Sequence, residues 1–295
     1  MRRILVLRGG ALGDFIVTLP ALAALRARWP QARIELAGNL SAGELGRVTG
    51  LLDAGHSQHQ ARWSALFGTE PLPREFAAWL GEFDLVVNFW PDPEGELRRR
   101  FPARDGQVFI SAPAMPTIAP AAAHYCATLR EVGIETREFF VPIRAGQRPA
   151  LPQAIAMHPG SGSPKKNWPE ERWIELIATL SAPVVLVLGE AEQWSASSLA
   201  RLGSHVLILR DRPILSLPAE LTQCRLFLGH DSGISHLAAA CGVPSILLFG
   251  PTDPAMWAPP APHVHVIRGG AGLNSITIDA VRTAISIQSA KLPAG

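Results

Sequence analysis

The sequence predicts an α/β protein of two domains, each a parallel sheet covered by helices. Three observations carry this. Short apolar runs of strand length alternate with helix-length segments, beginning with residues 4–7 and 20–28, the order that builds parallel sheets covered on both faces. The alternation restarts at residues 154–158, after a Gly/Pro/Arg stretch at 144–152 that reads as a linker. Each half also carries a polar strand–helix turn, Gly9-Gly10 in the first and Gly229-His230-Asp231-Ser232-Gly233 in the second. Free backbone N–H groups and the positive end of a helix dipole at such turns favour a phosphate. Two anion-friendly turns suggest two facing domains with a cleft between them. A chain of 295 residues accommodates both, with boundaries expected at 1–147 and 153–295 and the last helix allowed to pack back on the first domain.

In the first half, residues 4–7 read as a buried strand. Residues 20–28 read as a helix with Pro20 in its first turn and Leu22 and Leu25 on its apolar side. Strands follow at 33–38, 84–89 and 108–110, and a helical stretch at 76–80. The polar, Pro-rich segments 53–75 and 91–106 read as long loops, where α/β domains often grip substrate. In the second half, strands are expected at 154–158, 184–189, 205–209, 225–228, 245–249 and 263–267. Helices are expected at 170–180, with Trp173, Leu176, Ile177 and Leu180 at helical spacing, at 192–202 and at 278–287.

Composition narrows the function class. Net charge is only +2, and the halves carry 17 basic against 15 acidic and 10 against 10 residues, which argues against a dedicated nucleic-acid binder. Cys126, Cys224 and Cys241 are odd in number and unclustered, as in a reducing compartment without a disulfide framework or zinc site. The apolar run after Met1-Arg2-Arg3 is too short for a signal peptide, and no run of 18 apolar residues occurs. A cytoplasmic protein is expected, with contact at a membrane surface left open.

Three constellations point to chemistry. Arg8-Gly9-Gly10-Ala11-Leu12-Gly13-Asp14 departs from the dinucleotide fingerprint, since Arg8 stands where a glycine is needed; Glu35 downstream keeps a nicotinamide reading alive. Asp14 either caps a helix or faces the ligand as a general base. His158-Pro159-Gly160-Ser161-Gly162-Ser163-Pro164-Lys165-Lys166-Asn167-Trp168-Pro169 holds two of the three lysines in a strand-to-helix loop; its spacing is not a P-loop. Asp231, Ser232, Gly233 and His236 gather at a helix start, where Asp231 reads as a simple N-cap or as part of a site. Glu190 and Glu192 follow a strand, and either suits a ribose diol or simply starts a helix. Arg98, Arg99 and Arg100 form a charge run that is either a solvated face or an acceptor contact. Trp90, Trp168, Trp194 and Trp257 read as packing, and His263 with His265 lacks a third metal ligand.

Taken together, these stretches resemble glycosyltransferase family 9, the ADP-heptose–lipopolysaccharide heptosyltransferases. The resemblance rests on residues 8–14 with Thr18-Leu19-Pro20-Ala21-Leu22, the loop 158–169, and residues 231–244 with Phe249-Gly250-Pro251-Thr252-Asp253-Pro254. It implies a GT-B fold, with two Rossmann-like parallel-sheet domains facing a central cleft, acceptor on the first and nucleotide-sugar donor on the second. It further implies an inverting transfer without cofactor or bound metal, from ADP-heptose to a lipopolysaccharide-core or similar glycan or glycolipid hydroxyl. By position, Asp14 is then the base and Lys166 the diphosphate contact. Gly13, Ser161, Gly162, Glu192, Asp231, Ser232, Gly233 and His236 surround the donor, and Arg98–Arg100 are assigned to the acceptor. The glycines at 9 and 10, Pro164-Lys165-Lys166-Asn167 and Asn88-Phe89-Trp90 depart from the family's pattern. A nucleotide-sugar epimerase, a non-catalytic nucleotide-sugar binder and, more distantly, a nicotinamide oxidoreductase are the alternatives. Nucleic acid is not an expected partner; peripheral contact with the inner membrane is left open.

Overall fold

The computed structural model describes residues 1–102, 104–145, 151–270 and 272–291, with Pro152 through its backbone alone. The chain divides into two compact units, Met1–Val141 and Pro142–Gly295. Residues 146–150 of the expected linker lie outside the described residues.

The first unit is a five-stranded sheet of β1 (Arg3–Arg8), β2 (Arg33–Gly38), β3 (Ala54–Ser57), β4 (Leu85–Asn88) and β5 (Val108–Ser111). Its order is β3-β2-β1-β4-β5 with every pair parallel. Between the strands run α1 (Leu12–Ile16), α2 (Leu19–Arg28), α3 (Leu40–Val48), α4 (Arg74–Leu80) and α5 (Glu96–Arg100), with α6 (Ala121–Thr128) after β5. Ile4, Leu5, Val6 and Leu7 of β1 are wholly buried, as a central strand covered on both faces requires. Trp63, Phe76, Leu80, Phe83 and Trp90 join Leu5, Leu7 and Val86 in one apolar cluster.

The second unit repeats the plan with six strands: β6 (Leu151–His158), β7 (Val184–Leu188), β8 (Val206–Arg210), β9 (Cys224–His230), β10 (Ser245–Phe249) and β11 (Val264–Arg268). Their order is β11-β10-β9-β6-β7-β8, again all parallel. Helices α7 (Glu170–Ala178), α8 (Ala196–Ala200), α9 (Leu217–Leu221), α10 (Gly233–Ala240), α11 (Pro254–Trp257) and α12 (Ile278–Ala290) complete it. Val281, Ala284 and Ile285 of α12 enter the second unit's core beside Trp168, Trp173 and Leu226. In both sheets the chain doubles back, between β1 and β4 and between β6 and β9. The crevice beyond the carboxyl ends of such strands is where open α/β sheets take ligands.

Some expectations need correction. Segment 53–75 contains β3 and a 3₁₀ helix, Ala61–Phe67, and segment 91–106 contains α5. The helix expected over 192–202 is only Ala196–Ala200, capped by the Ser195 side chain accepting from Ser198 N–H. Glu192 therefore sits in the turn before that helix, where its carboxylate accepts the Gly189 N–H at 2.8 Å.

Candidate functional site

In the second unit the loops after β6 and β9 meet at the strand-order reversal. Ser232, not Asp231, caps α10: its hydroxyl accepts the Ser235 N–H at 3.3 Å. That frees Asp231, which is buried and accepts from Lys166 Nζ at 3.1 Å and from the Thr252 hydroxyl at 2.8 Å. Three loops thus converge on one carboxylate, and Lys166 keeps 25% of its side-chain surface open. Gly233 and the first turn of α10 lie beside this trio in sequence, and His236 is buried one turn on.

The loop carrying Lys166 is held at both ends. His230, at the end of β9, accepts the Trp168 N–H on Nε2 at 2.8 Å. Burial, aided by neighbouring His158 and Lys166, pushes the His230 imidazole down to about 3, so it stays a neutral acceptor. His158 is pushed down by burial as well, against the Val187 carbonyl bond and the Glu192 charge. At the loop's start, Gly160 packs directly on Glu192: a Cβ there would lie 1.8 Å from Glu192 Oε1. Ser161 is tied to its own loop, donating toward Asn167 Oδ1 at 2.6 Å or the Ser163 carbonyl at 2.8 Å, while Gly162 has open space where a Cβ would stand. Glu192 is 9% exposed whereas Glu190 is exposed. Glu192 and Trp194 line a cavity of about 310 Å³ with Trp168 and Pro169.

In the first unit, Asp14 occupies the first turn of α1 and keeps 36% of its side chain open. One oxygen accepts the Ala11 N–H at 2.9 Å and the other accepts from Arg8 Nη2 at 3.0 Å. Asp14 thus serves the helix start and still keeps part of its carboxylate accessible. Arg8, which the sequence shows only as a missing glycine, is 6% exposed. Its Nε donates to the Asp14 carbonyl at 3.1 Å and to the Thr18 hydroxyl at 3.2 Å, and its guanidinium lies 4.6 Å from the Tyr125 ring centre. Gly13 lies within α1 beside Asp14.

Arg99 and Arg100 donate to backbone carbonyls. Arg99 donates to the Glu94 carbonyl, and Arg100 to the carbonyls of Ala65 and Glu70. Arg98 is exposed near Phe109. Glu35, which kept the nicotinamide reading alive, is 2% exposed and held by Arg3 at 2.6 Å, His56 at 2.7 Å and Arg33 at 2.9 Å. It lies inside β2, paired with Leu5 and Ala54, so it is a buried structural anion and not a ribose ligand. Sequence reasoning missed Arg8 as a partner of Asp14, and Thr252 as a partner of Asp231. The signal for Thr252 was its place in the loop after β10, on the same sheet edge.

Two Rossmann-like parallel-sheet units, each with its polar loops at the strand-order reversal, form the GT-B architecture of glycosyltransferases. Over 99% of its length the chain superposes on 98% of the glycosyl transferase family 9 structure from Veillonella parvula, with TM-score 0.81 and 20% identity. Over 97% of its length it matches 99% of the Escherichia coli heptosyltransferase WaaC with ADP, TM-score 0.70 and 18% identity. The family profile of glycosyltransferase family 9 (heptosyltransferase) matches residues 138–279. Lipopolysaccharide heptosyltransferase 1 of Escherichia coli O18:K1:H7 is 30% identical over 131 residues, 43% of this chain; the match spans 40% of that relative's length. The second unit thus resembles glycosyltransferase family 9 in sequence, and the whole chain shares the fold of that family's solved structures. Among the described residues, no helix is long and apolar enough to cross a membrane.

Proposed function

We propose that the protein transfers heptose from ADP-heptose to a hydroxyl of a lipopolysaccharide-core or similar glycan, with inversion at the anomeric carbon. The observation that carries this reading is the convergence of Lys166, Asp231 and Thr252 beside the Ser232-capped start of α10. The family-model match over residues 138–279 and the similar structure solved with ADP support the choice of nucleotide. The roles given to the two units, acceptor on the first and donor on the second, belong to this proposal.

In the reaction, Asp14 takes the proton of the acceptor hydroxyl as its oxygen forms a bond to the anomeric carbon. The bond from that carbon to the diphosphate oxygen breaks on the opposite face, and ADP leaves with the electron pair. Arg8 and the Ala11 N–H hold the Asp14 carboxylate in place. Lys166 exchanges its contact with Asp231 for the diphosphate. Together with the N–H groups at Ser232 and Gly233, it stabilises the charge that grows on the leaving group. Ser161 and Gly162 border the same diphosphate, His236 backs the turn, and Glu192 receives the ribose diol. Loss of one such charge contact typically costs about 2–4 kcal/mol of barrier.

The test is Asp14→Asn, assayed for transfer to a lipopolysaccharide-core acceptor and for ADP binding by thermal shift. We expect transfer lost and stabilisation by ADP retained; a saturating ligand at 100 times its Kd adds about 2.7 kcal/mol. Transfer at the wild-type rate would overturn the base assignment. Stabilisation by UDP or GDP but not ADP would overturn the donor.

A further inference from the structure

The strand-order reversal of the first sheet opens a cavity of about 590 Å³. This is within the size range of small-molecule pockets, roughly 300–1,000 Å³. Gly9, from the loop after β1, lines it with Trp90 at the end of β4 and Gln58 and Gln60 from the loop after β3. Phe67 lines it too and is 52% exposed, an unusual display for a large aromatic. Its ring sits 6.4 Å from that of Trp90, tilted by 33°. Trp63 meets Trp90 edge-on at 5.3 Å, and its own indole N–H is spent on the Ser57 carbonyl at 2.8 Å. The aromatic wall is thus braced from behind and open in front.

The polar groups on the lining are uncharged amides, the Ser64 hydroxyl and the His59 imidazole; among the described residues it carries no lysine, arginine, aspartate or glutamate. A carboxylate or phosphate entering such a site would be desolvated without the charged donor it requires. A neutral sugar ring fits the chemistry better: its C–H face lies on an aromatic ring and its hydroxyls meet amide donors and acceptors. The cavity is also connected through the chain to Asp14. Gly9 lines it, and the adjacent Gly10 packs so closely on Asp14 that a Cβ there would stand 2.4 Å from Oδ2.

We propose that this cavity binds a neutral sugar ring of the acceptor, stacked on Phe67 and Trp90 and hydrogen-bonded by Gln58 and Gln60. Its role as an acceptor subsite rests on the transfer reaction proposed above; the binding does not. The acceptor is then a glycan whose ring in this pocket carries hydroxyls and no acid group.

The experiment is saturation-transfer NMR on the full chain at pH 8, with methyl glycosides of glucose, galactose and mannose and their uronate counterparts. At least one neutral glycoside should bind, its uronate at least tenfold more weakly, and Phe67→Ala should weaken the neutral ligand at least tenfold. Phe67 is exposed, so the variant should fold; unchanged circular dichroism and an unchanged ADP thermal shift check this. Failure of every neutral glycoside to bind would overturn the proposal. So would equal or tighter binding of the uronates, or neutral binding indifferent to Phe67→Ala. No donor is needed, so Phe67-dependent binding by a protein that transfers nothing from ADP-heptose to any glycan acceptor would refute the transfer reading and leave this pocket standing.

Discussion

Gly10 is where a single methyl group would press directly on the Asp14 carboxylate. Its φ is +98°, a region that side chains rarely adopt. An added Cβ would also fall 2.4 Å from Asp14 Oδ2 and 2.7 Å from its Cγ, so the carboxylate would have to leave Arg8 and Ala11. A misplacement of about 1 Å at a catalytic group costs on the order of a hundredfold in rate, and strained backbone of this kind costs about 1–3 kcal/mol. Gly10→Ala should therefore lower kcat roughly a hundredfold and lower the Tm. The Kd for ADP, assigned to the other unit, should not change. Steady-state kinetics with calorimetric ADP titration checks this, and a normal kcat would show that Asp14 does not need its present position. Much at this scale was open to reading in the chain, since Gly10 and Asp14 are neighbours in one turn. Arg8 was not: its meaning depends on Tyr125, brought beside it by the packing of α6 on α2.

The loop between β6 and α7 shows how elements share the task of holding one lysine. One end is fastened to β9 through His230 and Trp168, the other rests on the turn after β7 through Gly160 and Glu192. Gly160→Ala must displace Glu192, whereas a Cβ at Gly162 meets nothing within 4 Å. We expect Gly160→Ala to weaken ADP binding about tenfold, the worth of roughly one neutral hydrogen bond to the nucleotide, and Gly162→Ala to leave it unchanged. Calorimetric titration of both variants decides it; equal effects would remove Glu192 from the nucleotide site. The same elements explain what the sequence disclosed. β1, β4, β7 and β10 are covered on both faces and read as unbroken apolar runs. β3 is an edge strand of Ala-Gly-His-Ser with β2 as its one neighbour among the described residues, so nothing in its composition marks it. α8 came out shorter than expected because Glu192 spends its carboxylate on the Gly189 N–H and the helix waits for the Ser195 cap. Serine is a favoured N-cap residue.

Across the whole molecule net charge is small, so particular buried groups govern the response to acid, and they differ between the units. His158 and His230 are buried in the second unit and held neutral, their imidazoles pushed below the ordinary value of 6.5 by burial first of all. As pH falls below 6.5 the unfolded chain binds protons there that the folded chain refuses. His230 then removes stability, by up to about 1.4 kcal/mol per pH unit well below 6.5, and His158 acts in the same direction. In the first unit, burial pushes the Glu35 carboxyl up, but bonds from His56, Arg3 and Arg33 outweigh it and bring the group from 4.5 down to about 2. Its stabilisation, about 3 kcal/mol, is complete above 4.5 and is lost as pH falls from there toward 2. The second unit should therefore loosen first. Hydrogen exchange, corrected for the intrinsic pH dependence of the chemistry, should show protection in residues 151–291 declining from pH 6.5 to 5. Residues 1–141 should hold theirs until below 4.5. His230→Gln keeps an acceptor for the Trp168 N–H but cannot take up the proton, and should flatten the decline in the second unit without moving the first. If both units lose protection together, or if the second unit's protection is flat between pH 6.5 and 5, the buried histidines do not set the acid limit.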